Sequence, residues 1–174
     1  MPRHRAVYRI ARPPEAVFDV IGTNVYVNHP QWEPEVLEIR PLTEGPVRVG
    51  SRAVMVRQEF GRRSETPYEV TALEPGRLIA FSHDAASMAF ALRFGLAPVG
   101  AGETELTVEV EMRPRGPLRI ASPLIALQLP GRTDRTTRRM IALVEARPLP
   151  TGAPPRAASA APGGQAAPVT GQTA

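Results

Sequence analysis

Residues 122–146 constrain the rest of the chain most, because they read as a helix with one dry side that needs a partner. Ser122 followed by Pro123 predicts the start: the hydroxyl suits an orphan backbone N–H, and proline lacks the donor that position would waste. At about 3.6 residues per turn, Leu129, Thr133, Thr136, Thr137, Met140, Leu143 and Val144 fall on one stripe, with Asp134, Arg135, Arg138, Arg139 and Glu145 opposite. Threonine stands mid-stripe where leucine is usual, so the helix is expected to cover a space without filling it. Simple tolerance of threonine near a helix end is the alternative. Pro130-Gly131 should kink the run or split it into 123–129 and 132–146.

The partner is a string of strands. Residues 3–11 alternate Arg3, Arg5, Val7 and Arg9 against Ala6, Tyr8 and Ile10, the period-2 pattern of a half-buried strand. Pro13 and Pro14 stop it, and two short helices follow, over 15–21 and 25–31. Strand returns at 35–43. From 51 onward the segments 51–60, 63–73, 77–83, 88–94 and 105–112 succeed one another across short turns such as Glu74-Pro75-Gly76, and Met88, Phe90, Leu92 and Phe94 alternate with small or charged residues. Such hairpins imply an antiparallel meander, apolar on one face and wet on the other. The fold class is therefore α+β: a curved antiparallel sheet of about seven strands around a long C-terminal helix, with two short helices after the first strand. Residues 148–174 are mostly Ala, Pro, Gly and Thr with one charge, Arg156, and are expected to be a disordered tail to a domain spanning 3–147.

Composition excludes several chemistries. Cysteine is absent, so there is no disulfide framework and no thiolate nucleophile. All 21 basic residues are Arg, which removes Schiff-base and phosphate-loop lysines. The pI near 10.5 suggests a nucleic-acid binder, but the net charge is only +4. With no Lys and no Cys, little titrates above neutrality, so the charge is the better guide and no nucleic acid is expected. His4, His29 and His83 lack paired spacing, so no metal is expected; no Gly-x-Ser-x-Gly elbow or dinucleotide fingerprint occurs, so no cofactor is implied, and the glycines of 95–102 read as a hairpin turn. No stretch suits a membrane span, and a cytoplasmic monomer or homodimer is the expectation.

The order of elements and a set of local motifs resemble the SRPBCC superfamily, the polyketide cyclase and START-like proteins of helix-grip fold. The motifs are Ala11-Arg12-Pro13-Pro14-Glu15-Ala16-Val17-Phe18, Trp32-Glu33-Pro34-Glu35-Val36, Gly45-Pro46-Val47-Arg48-Val49-Gly50-Ser51, the segment 70–77 around Glu-Pro-Gly, and Leu143-Val144-Glu145. Glu33 departs from the commoner aspartate, and Pro130-Gly131 interrupts the grip helix. The resemblance implies the fold. Its relatives include carriers, aromatase/cyclases and proteins without known activity, so function must be argued from the site.

In such a fold the inward parity lines a cavity. Here it offers Tyr8, Met55, Tyr68, Val70, Phe81, Met88, Phe90, Leu92 and Val108, with Thr136 and Met140 from the helix and Trp32 near the mouth. The lining is mostly apolar, so the expected partner is a small hydrophobic or amphipathic molecule, lipid- or polyketide-like; the alternative is that these side chains simply meet as core. Parity also aims Arg57 inward, with Glu59 beside it. Arg57, Tyr68 and His83 are the candidate catalytic residues for a cyclase-like reaction, Arg57 stabilising an enolate oxygen and Tyr68 or His83 moving a proton. The competing reading pairs Arg57 with Glu59 and leaves Tyr68 in the core. A third option is an adaptor that docks through Arg132, Arg135, Arg138 and Arg139.

Overall fold

The computed structural model describes residues 1–59 and 61–148, so most of the expected tail lies outside the described residues. The alternating segments form seven strands: β1 (Arg3–Ile10), β2 (Val36–Pro41), β3 (Arg52–Glu59), β4 (Arg62–Glu74), β5 (Leu78–Asp84), β6 (Met88–Pro98) and β7 (Thr104–Pro114). The helices are α1 (Pro14–Phe18), α2 (Val25–Trp32) and α3 (Ser122–Ala146). Every pairing is antiparallel, in the order β1-β7-β6-β5-β4-β3-β2. Only β1 joins a strand that is not its neighbour in sequence, and that closure brings α3, which follows β7, back over the inner face. Gly95 lies within β6, not in the turn, because the β6–β7 pairing extends to Pro98 opposite Thr104.

Burial grades along the sheet. In one row of inward side chains Leu106 and Leu96 are buried; in the next Val108, Phe94 and Ile79 are; in the third Val110 and Phe81 are buried while Leu92 is half-exposed. In the last row Met112, Phe90 and His83 are all half-exposed. The buried end is plugged by Val17, Phe18, Val20 and Ile21, which belong to the same apolar cluster. α1 starts on Pro14, whose absent N–H costs nothing there, and runs into a π turn over Asp19–Thr23. Gly22 is buried in that turn against the Phe18 ring, and a Cβ there would lie 2.7 Å from Phe18 Cζ. Gly22→Ala should therefore force the ring out of the plug and destabilise by about 1–3 kcal/mol; an unchanged thermal melt would show that the plug is slack.

α3 differs from its expected form in two ways. A 3-10 turn, Gly116–Ala121, runs directly into it, and the Ser122 N–H already bonds the Arg119 carbonyl, so Ser122 makes no side-chain cap. The helix also continues through Pro130 without splitting. Pro130 and Ala126 are both exposed, so the carbonyl that loses its donor is on the wet side. The expected dry stripe is otherwise present: Leu129, Thr133, Thr137, Met140 and Val144 are buried.

The helix is held at its C-terminal end by Arg12, whose guanidinium donates to the carbonyls of Glu145 and, at 3.3 Å, Arg147. These are the orphan acceptors of the last turn, where a cation is also favoured by the helix dipole. The Glu145 carboxylate accepts from the Ala11 N–H at 2.9 Å, and the Thr104 hydroxyl donates to the Arg12 carbonyl at 2.7 Å. Arg147 donates to Asn28 at 2.6 Å, and Asn28 in turn to the Val20 carbonyl at 3.1 Å. One end of the grip is thereby tied to the β1–α1 connection and to α2.

Candidate functional site

The open end of the sheet holds the first group of candidate residues. Its inward residues Met88, Phe90, Leu92 and Met112 are half-buried apolar groups. Deeper in, Tyr68 of β4 stands edge-on to Phe81 at 5.7 Å and to Tyr26 of α2 at 6.4 Å. The hydroxyls of Tyr68 and Tyr26 are both buried without a hydrogen-bond partner in the protein. Ser51 lies beside Tyr26, and its oxygen accepts from the Arg48 N–H at 3.0 Å. Burial, and then the neighbouring Tyr26 phenol, push the Tyr68 hydroxyl above the ordinary tyrosine range, so it is a donor and not a base. An unmet buried hydroxyl costs about 1–3 kcal/mol. The two rings lie edge-on, and each puts such a hydroxyl into mostly apolar surroundings.

A second cluster lies where α2, β3 and α3 meet. Glu33, buried at the end of α2, accepts from Arg57 Nη2 at 2.6 Å and from His29 Nε2 at 2.8 Å. Arg57 also donates to Glu59 at 2.9 Å, and Arg132 of α3 bonds Glu59 and approaches Glu33 to 4.0 Å. Burial alone would raise the Glu33 carboxyl, but the His29 hydrogen bond and the charges of His29, Arg57 and Arg132 together hold it down to about 2. Trp32 stacks on His29 at 5.0 Å and belongs to the main apolar cluster. The cluster ties the grip helix to β3 two residues beyond Pro130.

Of the three candidate catalytic residues, Tyr68 and His83 come to neighbouring positions on β4 and β5, whereas Arg57 lies apart from them. Arg57 pairs with Ser64 across β3–β4, four residues from Tyr68, a separation of about 13 Å along the strand. Its guanidinium is occupied by two carboxylates. His83 sits on β5 with Nδ1 against the Pro67 carbonyl, which holds it to the sheet. Of the residues expected to line a cavity, Phe81, Val108 and Met140 belong to the main apolar cluster, and Tyr8, Tyr68, Phe90 and Leu92 pack against it. Met55 packs against a smaller cluster of Val36, Ile39 and Ala53. Met88 and Thr136 are half-exposed. The Tyr8 hydroxyl donates to Asp134 of α3 at 3.2 Å. Sequence reasoning missed Glu33 and Tyr26 as site residues; the His29–Glu33 spacing of four on a helix was the available signal for the first.

One hollow among the described residues lies against the sheet without any residue of α3 in its lining. It is a trough of about 680 Å³ on the outer face of the sheet, floored by Ala80 and Ala91 and walled by Arg3, Arg5, Arg93, Glu109 and Glu111. Its charges pair across strands, Arg3 with Glu111 and Arg5 with Glu109, both at 3.3 Å. The trough arises where small side chains leave room between ion pairs, and Thr71 and His4 also line it. The inner face, with its two unmet hydroxyls, is the better candidate.

The sequence profile of the polyketide cyclase/dehydrase and lipid transport family matches residues 1–145. The chain belongs to that family. No curated protein sequence matches this family member. Among solved structures it is similar to a START superfamily protein from Mycobacterium smegmatis (17% identity, TM-score 0.66, covering 82% of this chain and 97% of that one). It is also similar to the Zhui aromatase/cyclase from Streptomyces sp. R1128 (14%, 0.65, 82% and 93%). A third is norcoclaurine synthase from Thalictrum flavum (14%, 0.63, 83% and 87%). At these identities the likeness establishes the shared helix-grip fold. The fold expected from the motifs is thus the one found, and the family is one in which ligand binding and enzymes both occur, so the polar groups must discriminate.

Proposed function

We propose that this family member binds a small amphipathic molecule between the sheet and α3, its apolar body against Phe81, Phe90 and Leu92 and a hydrogen-bond acceptor against the hydroxyls of Tyr68 and Tyr26. The observation that carries this is the pair of buried, unpartnered hydroxyls in an apolar wall. A ligand carbonyl or hydroxyl oxygen within reach of either would satisfy it, turning a cost of folding into a gain on binding. Binding is favoured over ring closure because Arg57, the group that would stabilise an enolate, is already neutralised by Glu33 and Glu59.

Tyr68→Phe tests this by moving two readouts in opposite directions. Removing the unmet hydroxyl should raise the thermal midpoint of the empty protein by a few degrees, reflecting about 1 kcal/mol. The same change should cut the amount of small molecule that native mass spectrometry finds retained after purification from the source organism. A lower midpoint with an unchanged retained mass would make the hydroxyl structural and remove the reading.

A further inference from the structure

The solvent-facing side of α3 changes character along its length. On its first two turns Leu124 and Leu127 are 56% and 78% exposed, and in the 3-10 turn before it Ile120 is 87% and Leu118 37% exposed. After Gly131 the same line of the helix continues as Arg135, Arg138 and Arg139. No acidic residue occurs between Glu111 and Asp134. Among the described residues Arg119, Arg135 and Arg139 make no ion pair, whereas Arg132 is bound to Glu59 and Arg138 to Asp134 at 2.9 Å. The basic row alone is therefore a weaker docking element than its sequence suggests, and the apolar tip ahead of it is the stronger one.

We infer that the 3-10 turn and the first two turns of α3 form a tip that inserts into the surface of an anionic lipid bilayer, with Arg119, Arg135 and Arg139 at the headgroups. The distances fit: Arg135 follows Leu127 by eight residues, about 12 Å of helix rise, comparable with the about 5–10 Å insertion of interfacial helices. The tip stands at the open end of the sheet, since the Arg115 N–H bonds the Ser87 carbonyl next to Met88, the first residue of β6. A bilayer there would meet the half-exposed side chains of Met88, Phe90 and Met112 directly. A second copy is a poorer occupant, because a two-fold contact through this tip would set its unpaired arginines against one another with no acid to answer them. The inference stands apart from the proposed ligand, as it needs no guest in the interior.

Flotation of the full chain with phosphatidylcholine vesicles, with and without phosphatidylglycerol, tests it. Binding is expected to the phosphatidylglycerol vesicles and to weaken as salt rises from about 0.05 M to about 0.5 M. Leu124→Ser/Leu127→Ser should lower partitioning at least about tenfold, and Arg119→Ser about fivefold. The thermal midpoint should hold in each, as these side chains are exposed; should the double variant melt early, Ile120→Ser in the 3-10 turn gives the same reading. Absence of binding to anionic vesicles would overturn the inference, and so would binding that the leucine changes leave intact. Self-association in sedimentation that Leu124→Ser/Leu127→Ser abolishes would reassign the tip to a contact between copies.

Discussion

Replacing Glu33 with Gln is expected to destabilise the protein by about 3–5 kcal/mol, the range for stripping one partner from a buried ion pair. The shape is kept and the charge removed, so Arg57 and Arg132 are left to share Glu59, which is itself half-exposed. At this chain length the loss corresponds to a drop in thermal midpoint of about 6–20 °C. Arg57→Met should also destabilise, and the double variant should lose less than the sum of the two, because each single change strands the other's charge. The acid limb gives an independent check. The Glu33 carboxyl is lowered from 4.5 to about 2 on folding, so its contribution is fully present above about pH 4.5 and is lost as pH falls through about 2. That shift is worth about 3 kcal/mol, and Glu33→Gln should flatten the pH dependence of urea unfolding across this window. A loss below about 1 kcal/mol would place the cluster with ordinary surface pairs.

How far this site could be read in advance depended on what kind of contact held each residue. The strand faces were legible because period 2 is local: Tyr68, Phe81, Leu92 and Val108 point inward wherever the strands pair. The helix stripe was legible for the same reason, and Thr133 and Thr137 are buried on it as expected. The start of α3 was legible in position, since the helix begins at Ser122, but not in its means, because a preceding 3-10 turn makes the Ser122 side-chain cap redundant. Nor was the partner of Arg57. Parity aimed the guanidinium inward, but Glu33 reaches it from α2, 24 residues earlier, and only the tertiary packing of α2 on β2 brings the two together. Tyr26 escaped notice because α2 has almost no amphipathic signal and its inward residues cannot be told from its outward ones by spacing. Local periodicity thus located the wall of the candidate site, while its polar groups were set by contacts between elements distant in sequence.

Met140→Ala is expected to cost about 2–5 kcal/mol, and where it falls in that range measures how tightly the grip is closed. Met140 is buried on the inner stripe of α3 with Leu129 and Val144, in the same cluster as Phe81 and Phe94. Collapse is what lowers the cost of such a truncation, and here the helix is restrained on both sides of the residue: Arg132 bonds Glu59 ahead of it, and Arg12 and Glu145 fasten the last turn to the β1–α1 connection. The vacated space should therefore persist, dry and apolar, and the loss in urea unfolding should lie in the upper half of the range. A small apolar guest such as benzene should then raise the thermal midpoint of the variant more than that of the parent. A loss below about 1 kcal/mol, with no extra response to benzene, would mean that α3 already rides loosely over the sheet at Met140. In that case the interior would need no rearrangement to admit the proposed ligand, and the ties at the two ends would be hinges of a helix that opens between them.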